Sequence, residues 1–437
     1  MKKILLVLLC VPIVGFGQEW TFGGQDFDHG FSVQQTTDGG YIIAGITMSY
    51  GNGGEDIILI KTNSSGIEQW SKTFGGQDFD HGFSVQQTTD GGYIISGNTM
   101  SFGNGSTDIY LIKTDLSGNE QWTKTFGGTG IEDGSAVQQT TDGGYIIIGS
   151  TSSFGNGGGD VYLIKTNSNG VEQWSKTFGG SSGESGYSGL QTIDGGYIAC
   201  GRTLSFGNGS ADVFLVKTDS SGVEQWSKTF GGSGYDVCWS IQQTNNGGYI
   251  ISGDSHVGGV GQNIYLIKTD ANGIEEWSKT FSEGNEGNSV QQTTDGGYII
   301  TGDTYSSNSL YGGYEAAYLI KTDANGVEEW SKSFAGIYSV DSIFSNYGSG
   351  WSVQQTNDGG YIITGGTYSY FYGGYDVYLI KTDNNGNVTS TFNIPLNPNR
   401  KLQNTVDLLG RETKPQKNIT FIEIYDDGTV EKKLIIE

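Results

Sequence analysis

Two loops carry residue types that could hold a divalent metal. Gln25-Asp26-Phe27-Asp28-His29 recurs as Gln77-Asp78-Phe79-Asp80-His81. Each offers two carboxylates and an imidazole, donors that suit a first-row metal or calcium. The loops lie in an identical block, 21–43 and 73–95, so duplication of a solvated acidic loop is the competing reading. A second set is aromatic. Tyr305, Tyr311, Tyr314, Tyr338, Phe344, Tyr347, Tyr368, Tyr370, Phe371, Tyr372 and Tyr375 crowd the last two repeats. Apolar plates with polar rims suit stacking on sugar rings or on an extended peptide, and packing of long loops on themselves is the rival. A third set is Phe31, Phe83, Ser135, Tyr187, Trp239, Asn288 and Trp351, one per repeat at the same place. Ligand contact and packing between repeats are both open for these. Catalysis has thin support. His29, His81 and His256 are the only histidines, and no Ser or Cys has a base beside it in sequence. Paired carboxylates among Asp236, Glu283, Glu286, Glu315 and Asp341 could run glycoside hydrolysis.

These residues hang on a repeat. Gly-Gly-Tyr recurs at Tyr41, Tyr93, Tyr145, Tyr197, Tyr249, Tyr298 and Tyr361, and a Trp follows each of the first six. A period near fifty residues implies stacked units, each too small to bury its own apolar face. Within one unit, Ser84–Thr88, Tyr93–Gly97, Ile109–Thr114 and Glu120–Phe126 are rich in β-branched and aromatic residues, with Gly, Asp and Asn between them. The middle runs are almost continuously apolar, as strands covered on both faces are. The fourth alternates, as an outer strand does. Four antiparallel strands repeated seven times predict an all-β, seven-bladed β-propeller, with a small β tail after it.

The run Lys113-Thr114-Asp115-x-x-Gly118-x-x-x-Trp122 resembles the docking pattern of quinoprotein-type propellers, one residue shorter before the Gly. With its Gly-Tyr strand and Trp-Ser-Lys-Thr-Phe-Gly-Gly ending, the unit is similar to bacterial β-propeller repeats over about residues 19–392. The resemblance implies the fold and leaves the chemistry open. The turns after the first and third strands hardly vary, and read as hairpins with glycine at positive φ. The loops on the other face hold nearly all the variation, so function is expected there.

The ends differ from the body. Met1-Lys2-Lys3, an apolar run 4–14 and the small Gly15 and Gly17 describe a signal peptide over 1–17. That run is too short to span a membrane, and no membrane span is expected. The body, 18–392, holds 40 of the 47 acidic residues, 14 of the 23 basic ones and no proline. Thirteen of those fourteen cations fall at two repeat positions, which leaves no basic patch for nucleic acid. Cys200 and Cys238 fall on adjacent blades, and a disulfide between them and two small buried free cysteines are both open. The tail, 393–437, carries Asp407-Leu408-Leu409-Gly410-Arg411-Glu412 and a strand pair about Asp426-Asp427-Gly428. It resembles the C-terminal sorting segment of type IX secretion substrates in Bacteroidetes, which implies export through that machinery to the outer surface or the medium.

The expected protein is therefore a secreted, non-enzymatic propeller that binds an extracellular glycan or protein through its variable face. Tyr311, Tyr314, Glu315, Tyr338, Asp341, Tyr347, Tyr370 and Tyr372 are the expected ligand contacts. Asp26, Asp28, His29, Asp78, Asp80 and His81 are the candidate metal ligands. Calcium is the one cofactor entertained. The alternative is a polysaccharide-processing hydrolase or lyase using paired carboxylates on the same face.

Overall fold

The alternating and continuous apolar runs become strands in chain order. In the first repeat they are A (Asp28–Gln35), B (Tyr41–Thr47), C (Asp56–Thr62) and D (Glu68–Phe74), hydrogen-bonded A-B-C-D as one antiparallel sheet. Strands B and C are buried along their whole length, while D shows its polar residues to water. Six such sheets and a seventh of mixed origin make a seven-bladed propeller. The computed structural model describes residues 19–256, 262–306, 314–334, 348–369, 374–388, 402–406, 413–414, 420–425 and 430–434.

Strand A starts four residues earlier than the apolar pattern suggests, at Asp80 rather than Ser84 in the second blade. Asp80 is pinned by hydrogen bonds at the blade edge, so a polar residue begins the strand. The core lies between blades. Ile42, Ala44, Ile57 and Leu59 of the first blade pack on Val85, Tyr93, Ile95 and Ile112 of the second, and equivalent clusters fill the other junctions. Each blade thus supplies what its neighbour cannot bury alone.

The ring closes as the first and last repeats imply. Glu19–Phe22 pairs antiparallel with the seventh-blade strand Gly374–Thr382, with Trp20 opposite Leu379. This strand replaces the missing outer strand of the seventh blade and covers an edge that would otherwise stay open. Its indole also completes a repeated contact. In each blade the C–D turn glycine, at φ about 71–78°, lies against the Trp of the preceding blade. Gly118 meets Trp70 in this way, and Gly66 meets Trp20. A Cβ at either glycine would enter the ring.

The strand-C lysines are buried, with Lys61, Lys113, Lys165, Lys217, Lys268 and Lys321 at 2–3% exposure. An ammonium in that position must be neutralised. In the first four blades an A–B turn aspartate does so at 2.9 Å, as Asp142 does for Lys165. The following carbonyl, Thr166 O in that blade, accepts from the same nitrogen at 2.8 Å.

Cys200 and Cys238 are joined as a disulfide across the fourth and fifth blades, with Cα atoms 6.0 Å apart. The chain divides into two units, Met1–Thr389 and Ser390–Glu437. In the second, Leu402–Val406, Thr420–Tyr425 and Val430–Leu434 form a three-stranded antiparallel sheet. The anticipated hairpin is its second half, with Ile424 opposite Val430.

Candidate functional site

A β-bulge in strand A builds the site. In the first blade Gly30 pairs with Gly45 and Ser32 with Ala44, so Phe31 is the extra residue without a partner. The same slip skips Phe83, Ser135, Tyr187 and Trp239 in the next four blades. In the sixth it passes over Gly287 and Asn288. A bulge re-aims one side chain while the flanking residues keep their faces. Here the re-aimed residues, with Trp351, line an axial chamber of about 650 Å³. The aromatic ones also pack on one another across blade junctions.

The lining is uneven. Trp351, Phe31 and Phe83 form one aromatic wall, with ring centroids 5.2 and 5.3 Å apart in edge-on contact. Tyr187 and Trp239 form a second, at 4.5 Å. Blade order sets these walls across the axis from each other, with Ser135 in one gap and Asn288 in the other. Asp133 lines the chamber beside Ser135 and accepts from Asn98 Nδ2 at 2.7 Å. Asn288 donates to Gly350 O, and its buried Oδ1 has no partner among the described residues. Trp239 Nε1 donates to Asp254, a buried carboxylate whose pKa is raised chiefly by burial. Below the aromatics comes a floor of serines, among them Ser32, Ser84, Ser188 and Ser240. Each of these hydroxyl oxygens accepts a backbone N–H of the next blade, as Ser32 does from Val85 N at 3.2 Å. Their hydroxyl protons remain available to donate. Two facing aromatic plates over a hydroxyl floor can stack an apolar ring face and hydrogen-bond its rim.

The candidate metal loops are arranged otherwise. Asp26 and Asp78 are exposed, and their N–H groups donate to Ser49 and Ser101. Asp28 and Asp80 are fully buried at the start of strand A. Asp28 accepts from Gly24 N and Ser49 Oγ, and Asp80 from Gly76 N and Ser101 Oγ. His29 follows on the opposite strand face, with Nε2 3.0 Å from Ser349 Oγ and its ring 4.6 Å from Phe31. Burial pushes its pKa down to about 4, so it is neutral at ordinary pH. His81 Nε2 faces Glu55. The loops thus send their members in different directions. Among the described residues no three His, Cys, Asp or Glu side chains gather as a metal set.

Sequence reasoning missed the true company of Asp28 and Asp80. Each is one half of a carboxylate pair at a blade junction. The D–A loop glycine is the common neighbour: Gly23 lies between Asp28 and Asp376, and Gly75 between Asp80 and Asp56. Glu132 with Asp108, Glu184 with Asp160 and Asp236 with Asp212 repeat the arrangement. Burial, reinforced by Asp28, pushes Asp376 up to about 6. Asp236, a hydrolysis candidate, is therefore committed to a junction. Glu283 accepts from Tyr318 Oη at 3.2 Å, and Glu286 is half-buried at a strand-A start.

Tyr311, Tyr338, Asp341, Tyr347, Tyr370 and Tyr372 lie outside the described residues. Tyr314 and Glu315 are described as backbone only, opposite Ser306 and Tyr305 in the sixth blade. Of the aromatic set, Tyr375 packs on Phe27 at 5.3 Å and on Tyr368 at 5.4 Å.

No protein-family model and no curated protein matches the chain. Solved structures similar to it share about a tenth of its residues. Sqt1 from Chaetomium thermophilum is 10% identical, with a TM-score of 0.44 over 94% of this chain and 99% of that one. The Pan2 WD40 domain of Neurospora crassa is 10% identical, with a TM-score of 0.45 over 82% and 88%. A puromycin hydrolase S511A mutant complexed with PGG is 11% identical, with a TM-score of 0.49 over 91% of this chain and 58% of that one. No helix among the described residues is long and apolar enough to cross a membrane.

Proposed function

We propose that this propeller binds an extracellular glycan, seating one sugar ring in the axial chamber at the variable face. The observation that supports it is the chamber lining of one residue per blade at the same strand-A position, five of the seven being aromatic. The apolar face of a pyranose fits between the walls of Phe31, Phe83 and Trp351 and of Tyr187 and Trp239. Serine protons, Asp133 and Asn288 meet its hydroxyls. Stacking on such plates costs little side-chain ordering, because their rotamers are already fixed by mutual packing. In this reading the tyrosines of the last two repeats supply further contacts, with Glu315 and Asp341 as hydrogen-bonding partners. Binding is favoured over hydrolysis because two-carboxylate chemistry needs a facing pair. Asp133 is the carboxylate among the described lining residues.

The chain is exported, in this reading, by its 1–17 signal and by type IX secretion through 393–437, and works at the outer surface or in the medium. The Cys200–Cys238 bond supports an oxidising destination. A glycan array followed by tryptophan-fluorescence titration is the test. A bound oligosaccharide should perturb Trp239 and Trp351 emission, and Tyr187→Ala with Trp239→Ala should abolish the change. An array with no binder, or a binder that leaves tryptophan emission untouched, argues against the chamber. Periplasmic retention after deletion of 393–437 tests the export reading.

A further inference from the structure

Beyond the serine floor the channel continues into a funnel of about 320 Å³ on the opposite side from the aromatic chamber. Its walls carry one glutamine from each of six blades: Gln34, Gln86, Gln138, Gln242, Gln291 and Gln354. The seventh position is Leu190. The orientation of these amides is not free. Gln87 N donates to Gln34 Oε1 at 2.6 Å, Gln139 N to Gln86 Oε1 at 2.6 Å, and Gln191 N to Gln138 Oε1 at 2.7 Å. The same link runs from Gln292 N to Gln242, Gln355 N to Gln291 and Gln35 N to Gln354. A flipped amide would set an NH2 group against a backbone N–H, so each oxygen is committed to the next blade.

The consequence is a ring with one hydrogen-bonding sense. Each amide oxygen is engaged by the next blade, and the six Nε2 groups are left as donors. The serine floor is oriented in the same sense, because its oxygens also accept from the next blade. No charged side chain is among the described residues lining the funnel. A ring of six amide donors without a carboxylate among its described lining favours a ligand rich in acceptors. The geometry points to an oxyanion site at the glutamine end of the channel, for a group of the sulfate, phosphate or carboxylate type. The net charge of −24 opposes an anion at long range. That field is screened beyond about 8–10 Å at physiological salt, whereas the donors act in contact.

Isothermal titration of the full chain with sodium sulfate, against a sodium chloride control, tests this. One saturable site per chain is expected. Gln138→Glu with Gln291→Glu keeps the oxygens that hold Gln191 N and Gln355 N and replaces two donors by acceptors. It should weaken sulfate at least about tenfold, the loss of one charge-assisted hydrogen bond. Its melting temperature without sulfate reports whether the fold survived. Leu190→Gln adds a seventh donor and should tighten sulfate about two- to fivefold. Glucuronate separates two sources. Binding stronger than that of sulfate and dependent on Phe31 means that the anion arrives as part of a sugar in the chamber. Sulfate binding independent of Phe31 means a free oxyanion, and it survives failure of the glycan reading. No saturable sulfate heat in the wild type, or equal heat in a folded double variant, overturns the site.

Discussion

Lys268 Nζ lies 3.0 Å from Glu276, the place where the first four blades have a glutamine. The exchange is explained by the A–B turn, where the fifth blade has Asn246 in place of the aspartate. The counter-charge has moved from the turn to strand D, and the buried ammonium stays paired. In the first four blades the glutamine only assists, as Gln173 Oε1 does at 3.1 Å from Lys165, and in the sixth Lys321 meets both Asp295 and Glu329 at 2.9 Å. Asp142→Asn should therefore destabilise the protein by about 1–3 kcal/mol, the range for a buried charged donor losing its partner. Adding Gln173→Glu should recover most of it. Urea unfolding of the two single variants and the double variant measures the coupling. Additive effects would show that the two carboxylate positions are not alternatives.

Acidity should act on two sets of carboxylates in opposite directions. Partial burial pushes Asp142 up, but hydrogen bonds from Thr140 and Lys165, the Gly144 N–H and the Lys165 charge hold it at about 2. Its folded pKa lies below the unfolded value of about 3.9, so its contribution is present above pH ~4 and lost as pH falls through ~2. Asp376 is the reverse case, at about 6 through burial and the Asp28 charge. The fold holds that proton more tightly than the unfolded chain, so stability is lost as pH rises through about 6. Melting temperature against pH should be highest near about pH 4 and fall between about pH 4 and 6. Asp28→Asn should flatten the upper limb. A melting temperature that climbs steadily from pH 4 to 7 would refute the carboxylate pairing.

Closure rests on the first strand. Trp20→Ala should cost about 2–4 kcal/mol, somewhat below a fully buried large-to-small change because the indole is half-buried. Trp122→Ala, in an unbroken blade, should cost about the same. A negligible effect of Trp20→Ala beside a large one at Trp122 would mean that Glu19–Phe22 does not hold the ring.

The disulfide joins two blades across a separation of 38 residues. Chain-entropy reasoning assigns it roughly 3–4 kcal/mol. Reduction, or Cys200→Ala with Cys238→Ala, should lower the urea midpoint accordingly, and two free thiols titrated in denaturant without reductant would contradict the bond.

Blade number, strand order and ring closure were legible because each rests on repetition. Seven Gly-Gly-Tyr motifs set the count, and Glu19-Trp20-Thr21-Phe22 reads as a displaced strand end. The chamber was harder to see. Phe31 and its counterparts stand out by type, but one inserted residue separates a packing position from a channel position, and alternation does not reveal the bulge. The pairing of Asp28 with Asp376 was hidden for another reason. The two are 348 positions apart and meet only because the ring closes. The lysine positions were recognised as architectural, but their burial was not, since a Lys-Thr pair after an apolar run reads as a strand reaching water.

The chamber itself is tested most directly by titrating an array-identified oligosaccharide into the wild type and the Phe31→Ala, Trp351→Ala double variant. The account predicts at least about a tenfold loss of affinity, as expected when central aromatic anchors are truncated. It predicts a smaller loss for Tyr338→Ala, Tyr347→Ala and Tyr372→Ala together. Unchanged affinity in the first variant, with binding abolished in the second, would contradict it and move the ligand to the loops of the last two blades.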